Sequence, residues 1–237
     1  MKKKVSVITI TYNCQQTIEK TILSVIGQKD VDFEYIIIDG ASTDGTLDII
    51  HKYRDKIDVV VSKPDKGIYN AMNKGIEIAQ GEWINFMNAG DTFFDDKTMY
   101  QVFNRKISSE IECIYGDYNL CYQDITYHKP AEEPKIVYKR IAFCHQASFL
   151  RNAGHHFDES YQVCADYAMF RKIIEEKGES AFLKIELTVA NYDGYGLSSK
   201  LNRLRRKENI RITSTYNKRL GVLKNVRFFF AKFLGRI

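Results

Sequence analysis

A chain of 237 residues with 44% hydrophobic side chains can bury one large α/β core, or one core with an appendage. Its five cysteines, Cys14, Cys113, Cys121, Cys144 and Cys164, are scattered without a CxxC pair, which excludes a disulfide framework or zinc finger and fits reduced thiols. The net charge of +5 is divided unevenly: residues 200–237 carry 12 Lys or Arg against Glu208 alone, +11, and residues 1–199 carry 23 basic against 29 acidic side chains, −6.

That division assigns the tail a separate task, contact with a phosphate-rich partner. Without a nucleic-acid-binding fold or an aromatic platform in the body, nucleic acid is not the expected partner. The opening run VSVITITYN is short and interrupted by Ser6, Thr9 and Thr11. It does not resemble a secretion signal, so the expected location is the cytosol.

In chain order, VSVITI (5–10) and EYIIID (34–39) read as buried strands. Between them Ile18, Ile22, Val25 and Ile26 recur at helical spacing and end near Gly27. The turn GASTDGT caps a second helix through Leu47, Ile49, Ile50 and Tyr53, and DVVVS (58–62) is a third strand. Residues 67–80 form the clearest helix, with Ile68, Ala71, Met72, Gly75, Ile76 and Ala79 on one face, and Gly81 stops it. WINFMN (83–88) is the fourth strand. This alternation predicts a parallel sheet covered by helices.

Beyond residue 97 the pattern predicts a helix (97–106), a Tyr-rich hairpin in CIYGDYNLCYQDITYHK, a helix over 164–178, and a strand and loop over 185–195. Residues 200–237 read as helical throughout. The expected organisation is one catalytic domain over 1–199, with halves dividing near residue 96, and a basic tail over 200–237.

Ligands of open parallel sheets bind beyond the carboxyl ends of the strands. Four such ends carry polar groups here: Thr11-Tyr12-Asn13, Asp39 with Ser42 and Asp44, Lys63 to Lys66 around Asp65, and Asn88 to Asp91. Each alone could be an ordinary cap or turn. Together they describe an acid-lined cleft suited to sugar hydroxyls, a base edge or a divalent cation. No GxGxxG or GxxxxGK[ST] loop occurs, which argues against a dinucleotide oxidoreductase and a P-loop ATPase. Phosphates bound here would need a hard cation, for which Asp91 is the candidate ligand.

The segments VSVITITYNCQQTIEKTILSVIGQ, YIIIDGASTDGT, KPDKGIYNAMNKGIEIAQGEWINFMNAGD, CHQASFLR and ADYAMF resemble, in order and spacing over residues 3–195, the family 2 glycosyltransferases that build bacterial cell-surface polysaccharides. The resemblance implies a GT-A fold, a mostly parallel Rossmann-like α/β sheet flanked by helices, with a mixed acceptor-side half. It implies that Thr11, Tyr12, Asn13 and Asp39 hold the nucleoside of a nucleotide-diphosphate sugar, most simply a UDP-sugar. Asp65 would lie at the base or ribose edge, and Lys66 with the following helix would face the diphosphate.

Asn88-Ala89-Gly90-Asp91 stands at the DxD motif, whose last acid binds Mn2+ or Mg2+; here Asn88 replaces an acid and adds no charge. Asp166 matches the base of inverting members, with Ala165 where Glu is common, and its other reading is a solvated acid in a first helical turn. His145 and Gln146 match an acceptor-side pair, or are satisfied loop residues. The implied acceptor is a growing surface glycan, lipid-linked. Phe229, Phe230, Phe233 and Ile237 share a helical face with Val226, so the tail reads either as a helix on an anionic membrane surface or as one packed on the domain. Two rival functions are a catalytically weakened sugar-nucleotide-binding protein and a sugar-1-phosphate nucleotidyltransferase; TYNCQQT lacks the glycine-rich loop of the latter.

Overall fold

The computed structural model of the protein describes the backbone of residues 3–196 and 201–233, and side chains up to Val226 in the last helix. The first half alternates as expected: β1 (Val5–Thr11), α1 (Ile18–Ile26), β2 (Phe33–Asp39), α2 (Thr46–Lys52), β3 (Val59–Ser62), α3 (Ile68–Ile78) and β4 (Trp83–Phe86). These four strands are parallel in the order β3-β2-β1-β4. Every residue of β1 is buried, as a strand covered on both faces requires.

Successive side chains of a strand point to opposite faces, and the two faces build two cores. Ile8, Ile10, Ile36 and Ile38 meet Met72 and Ile76 of α3 on one side. Val5, Val7, Tyr35 and Ile37 meet Ile18, Ile22 and Val25 of α1 on the other. Each fully buried aliphatic side chain contributes about 1.5–3 kcal/mol. One acid lies inside this frame. Glu34 Oε1 accepts bonds from Ser6 Oγ (2.5 Å) and the Gln80 and Gly81 N–H groups (2.5 and 2.9 Å), which pins the loop entering β4.

The second half comprises β5 (Thr92–Phe93), α4 (Thr98–Phe103), β6 (Cys113–Cys121), β7 (Thr126–Lys129), β8 (Ser148–Arg151), α5 (Ala165–Lys177) and β9 (Phe182–Asp193). The Tyr-rich hairpin is β6–β7, paired from Tyr118↔Lys129 to Cys121↔Thr126. A strand at 148–151 is not evident from the sequence, because SFLR is too short to show a period. It runs antiparallel to both β4 and β6 and so joins the halves into one nine-stranded sheet.

The expected continuous helix over 200–237 is instead two, α6 (Asn202–Tyr216) and α7 (Lys218–Phe233). Asn217 breaks it with extended backbone (φ −147°, ψ 91°), and its Oδ1 accepts the Leu220 N–H at 3.0 Å, the bond of an N-capping asparagine. Residues 234–237 lie outside the description. Ile212 and Thr213 of α6 are each 1% exposed, and Ile212 belongs to the α3-side core. Glu208, the tail's single acid, accepts the N–H groups of Gln162, Val163 and Cys164 at 2.8, 3.0 and 2.9 Å. Those donors precede α5, so the basic segment is stitched to the helix that carries Asp166. Among the described residues no helix is long and apolar enough to cross a membrane.

Candidate active site

The carboxyl ends of β1, β2 and β3 form one polar cluster. Asp39 is fully buried and accepts three bonds, from Ser42 N (2.9 Å), Ser42 Oγ (2.5 Å) and Ser62 Oγ (2.6 Å). A carboxylate held by several donors inside a protein has a fixed orientation. Asn13 sits in the left-handed region (φ 50°); its N–H donates to Ser42 Oγ (2.8 Å) and its Oδ1 accepts the Thr43 N–H (2.9 Å). Its amide oxygen therefore ties the β1 turn to the β2 turn. Thr11 Oγ1 is buried without a hydrogen-bond partner.

Tyr12 is 61% exposed beside Gly40. A Cβ on Gly40 would lie 3.2 Å from Tyr12 Cδ2 and 2.6 Å from Asp65 Oδ2, so only glycine lets the ring and the acid approach. Asp65 Oδ1 accepts the Gly67 N–H at 2.8 Å, and the Lys66 N–H donates to Asn70 Oδ1 at 3.2 Å. Both bonds shape the start of α3 and leave the Lys66 side chain exposed.

The second cluster lies at the end of β4. Gly90 has φ +105°, a left-handed conformation costly to other residues, and the turn sends Asp91 inward. Asp91 is 4% exposed; Oδ2 accepts Gln146 Nε2 at 2.9 Å and Oδ1 accepts the Asp193 N–H at 2.8 Å. Burial pushes its carboxyl up to about 7; the Asp193 N–H, Gln146 and His145 oppose the rise and the charge of Asp193 adds to it. Thr21 Oγ1 of α1 donates to the Asp91 carbonyl (2.8 Å) and accepts the Gly90 N–H (2.9 Å).

His145 and Gln146 occupy a short 3-10 turn (His145–Ala147) ahead of β8. Asn85, inside β4, holds this turn by donating through Nδ2 to the carbonyls of Gln146 (3.1 Å) and Ser148 (2.9 Å). His145 Nδ1 lies 3.1 Å from Asp166 Oδ2, and His145 Nε2 lies 3.4 Å from Asn88 Nδ2. Asp166 is in the first turn of α5, where Oδ1 accepts the Tyr167 N–H (2.7 Å). Its carboxyl is largely buried, with side-chain exposure of 12%, unlike the solvated helix acid of the other reading.

The structure thus brings Asn88, Asp91, His145, Gln146 and Asp166 together at one strand end, and Tyr12, Asp39 and Asp65 at the neighbouring ones. Asn85, Thr21 and Asp193 were missed from sequence. Asn85 reads as an anomaly in an apolar strand, which is a signal; Asp193, in the Asp-Gly turn closing β9, carries none that links it to a residue 102 positions away. His155 pairs with Glu112 (2.9 Å) away from this cluster, and Trp83 is core.

Among the described residues no three His, Cys, Asp or Glu side chains form a cage for a metal ion. The donor chemistry fits a cation only as Asp91 with Asp193, whose charge opposes ionisation of Asp91, completed by phosphate oxygens of a substrate.

The sheet and its covering helices have counterparts in known proteins. Residues 6–177 match the family model described as Glycosyl transferase family 2. The chain belongs to that family. A PGL/p-HBAD biosynthesis glycosyltransferase of Mycobacterium tuberculosis is 29% identical over 170 residues, 68% of this chain and 66% of that protein. The putative teichuronic acid biosynthesis glycosyltransferase TuaG of Bacillus subtilis is 38% identical over 130 residues, 53% of this chain and 50% of that one. The chain thus spans half to about two thirds of the length of these family 2 relatives. S. aureus TarS in complex with UDP-GlcNAc superposes with a TM-score of 0.65 at 16% identity, covering 90% of this chain and 71% of that one. The mannosyltransferase PcManGT from Pyrobaculum calidifontis, in complex with GDP-Man and Mn2+, gives 0.67 at 17% identity over 90% and 63%. Both likenesses establish the GT-A fold.

Asp91 supplies a pH test. Its carboxyl is raised above the unfolded value, so its stability contribution is full below about pH 4 and is lost as pH rises through about 7. The ionised form at pH 8 costs up to about 4 kcal/mol. In metal-free buffer, Asp91→Asn is therefore expected to gain several degrees of Tm relative to the parent between pH 5 and 8. Scanning calorimetry at both pH values checks this, and a difference independent of pH would contradict it.

Proposed function

We propose that the protein is an inverting glycosyltransferase that moves a hexose or N-acetylhexosamine from a nucleotide-diphosphate sugar to a growing surface glycan. The observation that carries this reading is the placement of Asp166, held by His145, across from polar strand ends that can take a nucleotide. UDP is the favoured nucleotide, since TarS and other neighbours of the same fold are bound to UDP or a UDP-sugar. Relatives named for PGL/p-HBAD and teichuronic acid biosynthesis support a glycan acceptor, and the basic tail favours one that is lipid-linked.

In this reading Tyr12 stacks on the base, Asp39 and Asp65 face base and ribose, and the unpartnered Asn88 Oδ1 and Thr11 Oγ1 accept hydroxyl hydrogens of the donor. Asn13 acts by holding the loop that presents Tyr12. The acceptor hydroxyl lies against Asp166, which takes its proton as the oxygen attacks the anomeric carbon from the face opposite the leaving group. The leaving diphosphate gains charge as the bond breaks, and Lys66 with the N-terminus of α3 stabilises it. A divalent cation, held by Asp91 and Asp193 when bound, supplies charge neutralisation at the diphosphate. His145 and Gln146 border the acceptor.

Replacing Asp166 by Ala is expected to leave donor binding intact by calorimetry while lowering transfer to acceptor by at least about a hundredfold, the usual worth of a general base. Retained transfer would remove Asp166 as base; donor binding without transfer in the unaltered protein would favour a sugar-nucleotide-binding role. Adding chelator should weaken nucleotide-sugar binding, and returned Mn2+ should restore it. Equal affinity in both conditions would remove the cation from Asp91.

The tail completes the proposal. Val222, Leu223 and Val226 of α7 are exposed, whereas Lys224 turns inward to Asn209 Oδ1 and Thr213 Oγ1 (both 2.8 Å). Phe229, Phe230, Phe233 and Ile237, on which the amphipathic pattern rests, lie outside the described side chains. With +11 over residues 200–237, this segment suits an anionic bilayer carrying the acceptor. Removing residues 222–237 is expected to abolish flotation with anionic liposomes; undiminished flotation would place the contact elsewhere.

A further inference from the structure

We propose that Asn88 is a positioning residue that fixes the tautomer of His145, so that a neutral imidazole donates through Nδ1–H to Asp166. The inference rests on Asp166 as the base and adds what aims it.

The chain of contacts is Asn88 Nδ2 to His145 Nε2 (3.4 Å) and His145 Nδ1 to Asp166 Oδ2 (3.1 Å). An ionised carboxylate only accepts, so the ring nitrogen facing it must carry hydrogen. A neutral ring has one such hydrogen, which leaves Nε2 bare and in need of a donor. The Asn88 amide supplies it. Turned over, the amide would set Oδ1 against that bare nitrogen, two acceptors face to face. The observed orientation holds although it leaves Oδ1 buried without a protein partner.

An acid at position 88 could not serve in this way. It would demand hydrogen on Nε2 as well, and the ring would become a cation between two carboxylates. A cation 3 Å from Asp166 would favour its ionised form and weaken its pull on the acceptor proton. The uncharged Asn88 thus has a positive purpose: it trades a carboxylate near the diphosphate for a stronger base.

The other titratable groups around the ring do not supply that cation. Asp91, from the β4–β5 turn, spends its two carboxyl oxygens on Gln146 Nε2 and the Asp193 N–H rather than on the ring. The Cys144 thiol is pushed up by burial and by the charges of Asp91 and Asp166, and the Tyr69 hydroxyl of α3 by burial and by Asp166, so both stay neutral.

The test is a long-range 1H–15N correlation spectrum of the full chain labelled at histidine, with His145→Gln identifying the signal. At pH 7.5 the expected pattern is hydrogen on Nδ1 and a bare Nε2. In Asn88→Asp both nitrogens should carry hydrogen at that pH. The rise of kcat with pH in that variant should move downward by about one unit, the size of shift a neighbouring charge produces. A ring protonated at Nε2 alone in the unaltered protein would overturn the proposal, as would an Asn88→Asp protein with unchanged ring signals and pH profile. The spectrum of the unaltered protein needs no variant to fold except the one used for assignment. Retained transfer in Asp166→Ala would refute the base and leave the tautomer result standing on its own.

Discussion

The carboxylate of Asp91 is the tie on which the second half of the molecule depends. One oxygen holds Gln146 from the turn before β8, and the other holds the backbone of Asp193 at the end of β9. Three chain segments separated by 55 and 102 positions therefore meet at one buried group. A carboxylate removed from water needs such partners, and the partners gain a fixed place in return. His145 follows Gln146 into position, and Asp166 follows His145.

The first half is organised by a different constraint. Strands covered on both faces are mostly apolar along their length, and the polar side chains within them, such as Ser6 and Glu34, are occupied by each other, so β1, β2 and β4 present free polar chemistry at their ends. Asp39 illustrates this: it is fully buried, yet it closes β2 and draws its donors from Ser42 in the following loop and Ser62 at the end of β3. The same feature makes the site a property of the sheet edge rather than of any one loop. Asn85 is the strand residue whose amide reaches outward to fasten the His145 turn.

Much of the first half was legible because helix and strand periods alternate cleanly there, and because glycines and acids punctuate the ends of β2, β3 and β4. The hairpin of β6 and β7 was legible for the same reason, since Tyr and polar residues alternate. Strand β8 was not, because four residues with a partner more than sixty positions away carry no local signal. The acids of the site could be named from their positions, but their partners could not: the link from Asp91 to Asp193 and that from His145 to Asp166 exist only in the folded chain. Asn13 shows the converse, a residue placed at the site by its motif whose amide is occupied in holding two loops together. The tail was read as an appendage from its charge, and charge says nothing about Ile212 lying in the core.

Glu208 alters how the chain can be divided. The family match ends at residue 177, yet the N–H groups leading into α5 are satisfied by an acid 31 positions farther on. A fragment cut at the family boundary would leave three backbone donors, two of them buried, unpaired beside the helix that carries Asp166. In evolutionary terms, the last segment is free to drift in its outward charges but not in this one anion, so related chains should vary everywhere along α6 before they vary here.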